Sequence, residues 1–355
     1  MGLFNKITIG QYRGLNDITL DEMGDFNIIL GNNNAGKTSI LEAVSCWRTP
    51  DRIDNVVRSS ILRISSKRLQ ARGSAFDAFV NIFPYHSGNK TIKLSSVING
   101  ERHHLEIDGV VETRFLQPVR LSRSFSDGDA EEKEQSEIEV ECFSGVLKNN
   151  DSTIEVLVRS DDIRAELREL PLMPINFISS AHHLTNSVVT KNLLPHKEEI
   201  TKLLTMFDVN ITGFDLAYEE SGWYPTEMIH HKYFAPVPLS TFGDGLKRVL
   251  GLAGQVLMSQ NGLLLIDEID TSIHISVLAD VFKWFVSACK QYNVQVLATT
   301  HSLETVRSIV NAVTSDEACE MVVYRLEQIK GKSRVTRFAE AELNYILNEM
   351  GQDIR

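Results

Sequence analysis

Long apolar runs are missing from this sequence. None of its 355 residues belongs to a stretch of roughly 18 consecutive apolar residues, the length that a membrane-spanning helix needs. The N-terminus also lacks the basic segment followed by an apolar one that marks a signal peptide. We therefore expect a cytoplasmic protein without membrane contact. Sustained heptads and internal repeats are missing too, so no long coiled coil is expected.

Cysteine is scarce and scattered. The four cysteines, at positions 46, 142, 289 and 319, include no C-x-x-C pair. Structural zinc sites and disulfide frameworks use closely spaced or regularly paired cysteines. The pattern instead favours reduced thiols inside a core, and a hydrophobic content of 43% is enough for a sizeable one.

The net charge of −11 argues against a surface that is basic all round. It leaves open a local basic groove for nucleic acid, because an acidic protein can still bind phosphates locally. Five residues could line such a groove or form a solvated helix face: Arg58, Arg63, Lys67, Arg68 and Arg72. Charge pattern alone favours the solvated face.

Residues 25–44 carry the strongest motif. They predict a buried strand, a tight loop and an amphipathic helix, and the loop fits G-x-x-x-x-G-K-[ST]. Backbone N–H groups of such a loop surround an anion, and the following helix adds its positive dipole end. The expected nucleotide-binding residues are Gly31, Asn32, Asn33, Asn34, Ala35, Gly36, Lys37, Thr38 and Ser39.

Two side chains of this loop have distinct expected roles. Lys37 would reach the β- and γ-phosphates, and Thr38 would supply a hydroxyl to Mg²⁺. The three asparagines tolerate left-handed backbone conformations, so a loop with only two glycines can still close. A chance match in an ordinary turn is the alternative, and the flanking strand and helix count against it.

The predicted elements change in character along the chain. Strands are expected at 5–12 and 17–30, and helices at 37–47 and 51–72. From 76 to 160 we expect antiparallel hairpins, with turns at 87–89, 99–100, 108–109 and 149–151, and an acidic loop at 124–137. The remaining strands are predicted at 175–179, 211–218, 263–267, 294–299, 320–326 and 333–338, and the remaining helices at 186–206, 245–259, 276–290, 302–313 and 339–349. This succession predicts an α/β fold with parallel strands covered on both faces.

Asp267 and Glu268 follow four consecutive aliphatic residues, 263–266. The carboxyl end of a buried strand is where α/β sheets place ligands. Beside a phosphate loop, Asp267 would hold Mg²⁺ and Glu268 would orient and deprotonate the attacking water. The alternative is a strand that simply ends in acidic turn residues.

Two further segments suggest contacts with the γ-phosphate. His301 follows another buried strand and could hydrogen-bond that phosphate or the attacking water. Residues 239–248, LSTFGDGLKR, form a second helix start with free N–H groups, including Ser240, Gly243 and Gly245. One ATP site does not need two such helix starts, so this one would close on nucleotide bound by another subunit. A Gly-rich connector is the alternative.

The order of these elements resembles the ATP-binding-cassette (ABC) type ATPases. Within them the sequence is similar to the soluble branch of RecF, the heads of structural-maintenance-of-chromosomes (SMC) proteins and OLD nucleases, most of all to OLD-like AAA ATPases of bacterial anti-phage defence loci. The resemblance rests on GNNNAGKTS at 31–39, LSTFGDGLKR at 239–248, LLLIDEIDTSIHISVL at 263–278 and ATTHS at 298–302.

The resemblance implies one ABC-type P-loop NTPase module over 1–355, an α/β fold with a mixed central sheet, an antiparallel β-rich lobe and helical insertions. The N-terminal lobe would span about 1–165 and the C-terminal lobe about 166–355. Two subunits would sandwich ATP. Lys37, Thr38, Asp267, Glu268 and His301 would act from one subunit, and Ser240 or the turn at 243–245 from the other. Asp270, Ser272 and His274 occupy the stretch that crosses the dimer interface in the family.

The sequence departs from the family in two places. The helix start differs from L-S-G-G-Q, and the glutamine-containing loop is not identified. No D-x-D pair follows His301, so we expect no TOPRIM nuclease in this chain and an effector that acts in trans. The resulting hypothesis is a hydrolase, an ATP-dependent switch subunit of anti-phage defence. The alternative is a RecF-like DNA-binding ATPase of DNA maintenance, and a transporter ATPase is weaker.

Overall fold

The computed structural model describes residues 3–61, 74–84, 88–119, 136–162, 173–180, 192–217, 226–314, 319–329 and 332–344. Its strands are β1 (Phe4–Tyr12), β2 (Leu15–Leu20), β3 (Phe26–Leu30), β4 (Lys90–Ile98), β5 (Glu101–Leu116), β6 (Ile138–Asn149), β7 (Ser152–Arg159), β8 (Ile175–Ile178), β9 (Ile211–Ala217), β10 (Thr226–His231), β11 (Val237–Pro238), β12 (Leu263–Ile266), β13 (Gln295–Thr300), β14 (Met321–Ile329) and β15 (Lys332–Ala339). Its α-helices are α1 (Lys37–Ser45), α2 (Ile53–Ser60), α3 (Ser74–Val80), α4 (Lys197–Leu204), α5 (Asp244–Met258), α6 (Ile275–Gln291), α7 (Leu303–Thr314) and α8 (Glu340–Asn344). Short 3-10 turns lie at Cys46–Arg48, Leu194–His196 and Leu239–Thr241.

The central sheet has the order β15-β14-β3-β13-β12-β8. Five of its strands are parallel, and β15 pairs antiparallel with β14 at one edge. Every residue of β3, β12 and β13 is buried, as expected for parallel strands that are covered on both faces. The expected mixed central sheet is confirmed.

Two cores cover this sheet, because alternate side chains of a strand point to opposite faces. Leu264 and Ile266 of β12 join the core that contains helices α5, α6 and α7. Leu263 and Leu265 join the core shared with α1 and the second large sheet. The parallel sheet therefore lies between a helical layer and a second sheet.

The second sheet is antiparallel, in the order β2-β1-β4-β5-β6-β7, which confirms the expected β-hairpins. Its turns at 99–100 and 149–151 lie where the sequence places them. The predicted turn at 108–109 is wrong, because both residues lie within β5 and Gly109 pairs with Gly145. A Cβ atom at Gly109 would lie 2.5 Å from the carbonyl oxygen of Ser144 and 2.7 Å from the Phe143 ring, so the glycine permits a close approach of β5 to β6 instead of a turn.

The strand predicted at 17–30 is in fact two strands in different sheets. β2 belongs to the antiparallel sheet and β3 to the parallel one. Glu22 between them has φ 50, and a Cβ atom at Gly24 would lie 2.7 Å from the carbonyl oxygen of Glu320. The chain thus crosses between the two sheets at residues 22–24, where Glu22 has a left-handed backbone and Gly24 lies against Glu320, the residue just before β14.

The region from 76 onward starts with a helix, not a strand. In α3, Phe76 and Phe79 are spaced to share one helix face, and both are buried. The Phe79 ring lies 5.4 Å from that of Phe83 and 5.3 Å from that of Phe143. This aromatic cluster holds the helix against the antiparallel sheet.

Other predicted elements are shorter or fall partly outside the described residues. The helix expected at 51–72 is seen as α2, and residues 62–73 lie outside the description. Of the helix at 186–206, a 3-10 turn and α4 are described. The acidic loop at 124–137 lies outside the described residues except for 136–137.

All four cysteines are free and buried, which confirms the expectation of reduced thiols within the core. Among the described residues, no helix is both long and apolar enough to span a membrane.

Candidate nucleotide site

The loop between β3 and α1 has a backbone that glycine makes possible. Gly36 has φ 103, and Asn34 is left-handed with φ 64. A Cβ atom at Gly31 would collide with the carbonyl oxygen of Leu326, and one at Gly36 would lie 2.7 Å from Leu15 Cδ2. The loop is therefore packed tightly against β14 and β2, and α1 begins directly after it, where the N–H groups of a helix start are suited to an anion.

Lys37, the first residue of α1, points its ammonium group back over this loop. Its Nζ atom donates to the carbonyl oxygens of Gly31, at 2.6 Å, and Asn32, at 3.0 Å. Burial lowers the pKa of Lys37, and the nearby carboxylates of Glu268 and Asp267 oppose that shift. The structure thus places a buried cation between the phosphate loop and the acidic pair.

The carboxylate of Asp267 contacts three hydroxyl groups. Its Oδ1 atom accepts hydrogen bonds of 2.9 Å from Thr38 Oγ1 and from Thr299 Oγ1, and Ser180 Oγ lies 3.4 Å from Oδ2. The parallel register explains the convergence, since Ile266 pairs with Ala298 on one side and Ile178 on the other. Residues just after β8 and β12 and near the end of β13 therefore share one sheet edge.

Glu268 adopts an uncommon backbone conformation for its residue type, with φ 48. Its backbone N–H donates to Thr299 Oγ1 at 2.9 Å. Thr271 Oγ1 donates to the Glu268 carboxylate at 3.3 Å. Hydrogen bonds to both the backbone and the side chain therefore fix the direction of the candidate base.

A cavity of about 570 Å³ brings these groups together. Its lining residues are Asn33, Asn34, Gly36, Lys37, Thr38, Ser39, Asp267 and Glu268. The cavity lies at the carboxyl ends of the parallel strands, where open α/β sheets bind ligands. It has the N–H groups, the cation and the carboxylates that a nucleotide triphosphate with a metal ion requires.

Seven predicted site residues do not line this cavity: Gly31, Asn32 and Ala35 of the phosphate loop, and Ser240, Gly243, Gly245 and His301. Ser240, Gly243 and His301 are exposed, and Gly245 packs elsewhere: a Cβ atom there would lie 2.7 Å from the carbonyl oxygen of Ser272. The segment 239–245 thus lies beside the loop that follows the acidic pair. Within one chain, the structure groups the phosphate loop with Asp267 and Glu268 but leaves this helix start outside.

Three residues at the site have no role predicted from the sequence. Thr299 and Ser180 touch Asp267, and Arg248 donates to the backbone oxygens of both Asp267 and Glu268. The sequence did offer a signal for each of them: Thr299 and Ser180 lie near the ends of β13 and β8, and Arg248 is the last residue of the motif 239–248. Of the five residues considered for a basic groove, Arg58 lies in α2, and the other four lie outside the described residues.

The sequence resembles one protein family and one named relative. A family model described as "AAA domain, putative AbiEii toxin, Type IV TA system" matches residues 26–307. Over 354 residues the chain is 24% identical to a Helicobacter pylori protein named ATP/GTP phosphatase, and the match covers 92% of this chain and 93% of that protein.

Two solved structures resemble the whole chain. An SmcHead bound to the C-winged helix domain of ScpA matches with a TM-score of 0.54 and 11% identity, over 95% of this chain and 98% of that one. An Smc head domain with an extended coiled coil, bound to the C-terminal domain of ScpA derived from Pyrococcus furiosus, matches with a TM-score of 0.50 and 10% identity, over 99% and 100%. At such identity these likenesses show the fold, and they confirm the expected ABC-type P-loop architecture.

Proposed function

The chain belongs to the AAA-domain family that matches its residues 26–307 and is an ATPase, and from that premise we propose that it is an ATP-dependent switch subunit. Two copies sandwich ATP, and the ATP-bound dimer holds or releases an effector, a nuclease or toxin, in trans. The observation that carries the proposal is the cavity in which Lys37 and Thr38 meet Asp267 and Glu268.

Each group of the cavity has a role in hydrolysis. Lys37 and the N–H groups of the loop stabilise the negative charge that builds up on the β- and γ-phosphates. Glu268 accepts a proton from water while the water oxygen attacks the γ-phosphorus. The bond from that phosphorus to the bridging oxygen breaks, which yields ADP and phosphate, and Glu268 then returns its proton to solvent.

The Thr38 hydroxyl and the Asp267 carboxylate fit Mg²⁺. This ion prefers oxygen ligands and is commonly held by one or two carboxylates together with substrate phosphates. Among the described residues no group of three or more His, Cys, Asp or Glu side chains could hold a metal ion, so phosphate oxygens would complete the shell. When bound there, Mg²⁺ would neutralise charge on the β- and γ-phosphates.

The surface around the cavity supports a dimer. Ser240 and Gly243 are exposed beside the loop after Glu268, and within that region Ser272 and His274 are exposed too. Ile275 exposes 65% of its surface there. In our proposal, this surface contacts the second copy, so that Ser240, Gly243 and Gly245 reach the γ-phosphate in the partner's cavity. His301 then lies at the seam, where it contacts the phosphate or the attacking water.

The role in anti-phage defence is supported by the description of the family, which names a toxin of a type IV toxin–antitoxin system. The motifs that resemble OLD-like ATPases point the same way. The chain would therefore act as the ATP-sensing part of a defence system, and its conformational state would govern an effector protein.

The experiment that tests this proposal measures the solution mass of Glu268→Gln, purified from its native host with co-purifying proteins retained. Gln keeps the shape of the side chain but cannot accept the proton, so ATP with Mg²⁺ should trap a dimer or a multiple of it. Lys37→Ala is the matched control and should keep its nucleotide-free mass. A mass of Glu268→Gln that ignores ATP would sink the sandwich model.

The same preparation tests the effector. A second polypeptide that stays bound only in the ATP state would identify it. Nucleic acid bound in its place, with salt-sensitive affinity, would replace the defence proposal by the RecF-like alternative.

A further inference from the structure

Arg248 lies in the second turn of α5, and its guanidinium group binds backbone oxygens. Nη1 donates to the carbonyl oxygen of Ser179 at 3.1 Å. Nη2 donates to the carbonyl oxygens of Asp267, at 3.2 Å, and Glu268, at 3.1 Å. One side chain therefore joins the residues that follow β8 to those that follow β12.

This arrangement is costly for a cation. Arg248 is 7% exposed, and it forms no salt bridge with a carboxylate of the described residues. Its Nε atom has no hydrogen-bond partner among them either. Burial lowers its pKa, an effect that the carboxylates of Asp267, Asp270 and Glu268 oppose. An apolar side chain of similar volume would pack here without this penalty, so packing alone does not account for an arginine.

The feature that Arg248 holds is the backbone of Glu268. A left-handed glutamate persists only where its surroundings over-determine it. Three hydrogen bonds to the Glu268 backbone do so: its N–H donates to Thr299 Oγ1, and its carbonyl oxygen accepts from Arg248 Nη2 and from the backbone N–H of Thr271. Because Arg248 also donates to the carbonyl oxygen of Asp267, it binds both of the peptide groups that flank the Cα atom of Glu268.

Arg248 also belongs to the helix that starts at the proposed dimer surface. It lies four residues after Asp244, about one helical turn, and so on the same face. Gly245 of that first turn packs against the carbonyl oxygen of Ser272. A shift of α5 would therefore be felt at both ends of the loop 268–272.

We infer that Arg248 is a positioning residue that holds Glu268 in its hydrolytic orientation and links it to the start of α5. Contact of that helix start with the partner's nucleotide would thereby set the geometry of the base in the same chain. This inference rests on the proposed function, and it adds a residue that couples dimer contact to hydrolysis.

The experiment compares Arg248→Lys, Arg248→Met and Leu252→Ala in steady-state ATP hydrolysis and in ATP-dependent dimer formation. Lys keeps the charge but reaches fewer carbonyl oxygens, and Met removes the donors. We expect kcat to fall by roughly 10-fold for Lys and 100-fold for Met, with KM within about threefold of wild type. Dimers should still form with ATP.

Leu252→Ala is the matched control, because Leu252 is a buried residue of the same helix that donates to neither strand end. It should lose thermal stability but keep kcat within about threefold. If Arg248→Met kept wild-type kcat, or if kcat simply followed melting temperature across all three variants, the inference would be wrong.

A double variant separates this inference from the proposed function. If Arg248 acts through Glu268, then Arg248→Lys should slow Glu268→Gln by less than about twofold, because effects on one unit are not additive. Multiplied losses would contradict the inference. If Glu268→Gln hydrolysed ATP at the wild-type rate, the assignment of Glu268 as the base would be wrong. If Glu268→Gln were inactive but the Arg248 variants hydrolysed ATP at the wild-type rate, the proposed function would stand and only the role of Arg248 would be wrong.

Discussion

Thr38 Oγ1 donates a 2.9 Å hydrogen bond to Asp267 Oδ1 although 229 positions separate the two residues in the sequence. Thr38 lies in the first turn of α1, and Asp267 follows a strand two places from β3 in the sheet order. The bond joins the two halves of the site at the pair of oxygen atoms proposed to hold Mg²⁺. Changes to either residue should therefore affect metal use before they affect the fold.

Asp267→Asn tests this metal site. Asn keeps one oxygen for the hydroxyl groups of Thr38 and Thr299 but removes the negative charge that Mg²⁺ requires. We expect the Mg²⁺ concentration for half-maximal ATPase activity to rise by roughly 10- to 100-fold, as measured by phosphate release. Asp21→Asn, at an exposed ion pair with Lys6, serves as the control and should match wild type. Equal Mg²⁺ dependence in both variants would contradict the assignment.

The lowered pKa of Lys37 predicts a pH effect on stability. Between that pKa and the unfolded value of 10.5, the unfolded chain binds more protons than the folded one. Stability from this group therefore rises with pH through that window. Urea unfolding without nucleotide should show a steeper rise, or a shallower fall, in wild type than in Lys37→Met. The difference between the two curves removes the contribution of other titrating groups, and parallel curves would show that Lys37 is not strained by burial.

Cys46 predicts the opposite sign. Burial raises the pKa of this thiol to about 12, from 9.0 in the unfolded chain, so the folded state holds the proton more tightly. The stabilisation is fully present below pH 9.0 and is lost as pH rises towards 12. Cys46→Ala should reduce the fall in unfolding free energy between pH 8 and 10, whereas Val44→Ala, a buried neighbour that does not titrate, should keep it.

The local part of the site could be predicted from sequence, because it depends on short motifs. The loop at 31–39 and the aliphatic run before Asp267 each specify their own strand ends. The link between Asp267 and Thr299 depends instead on the register of β12 with β13, which two separate segments determine together. Arg248 was out of reach for a further reason: a guanidinium group that binds three carbonyl oxygens leaves no charge pattern in the sequence.

The errors in the fold have a similar origin. Residues 17–30 are apolar enough to suggest one strand, but the switch between sheets depends on the contact of Gly24 with Glu320, almost 300 positions away. Gly109 follows an aspartate and so looks like a turn, yet its close, long-range contacts with Ser144 and Phe143 of β6 explain it. In both cases a glycine was needed for tertiary packing, which the local sequence does not reveal.

A mixing experiment tests whether two chains build each site. Lys37→Ala disables the phosphate loop, and Ser240→Arg blocks the exposed helix start without touching the cavity. Each variant alone should be inactive. In a twofold-symmetric dimer each site would take its phosphate loop from one chain and its helix start from the other. An equal mixture should then contain one intact site in each mixed dimer and recover about a quarter of wild-type ATPase activity.

The control is the double variant, which carries both substitutions in one chain. It should stay inactive on its own, because none of its sites has an intact phosphate loop. If Ser240→Arg alone kept full activity, or if the mixture stayed inactive while mixed dimers formed, the helix start would not act on the partner's nucleotide.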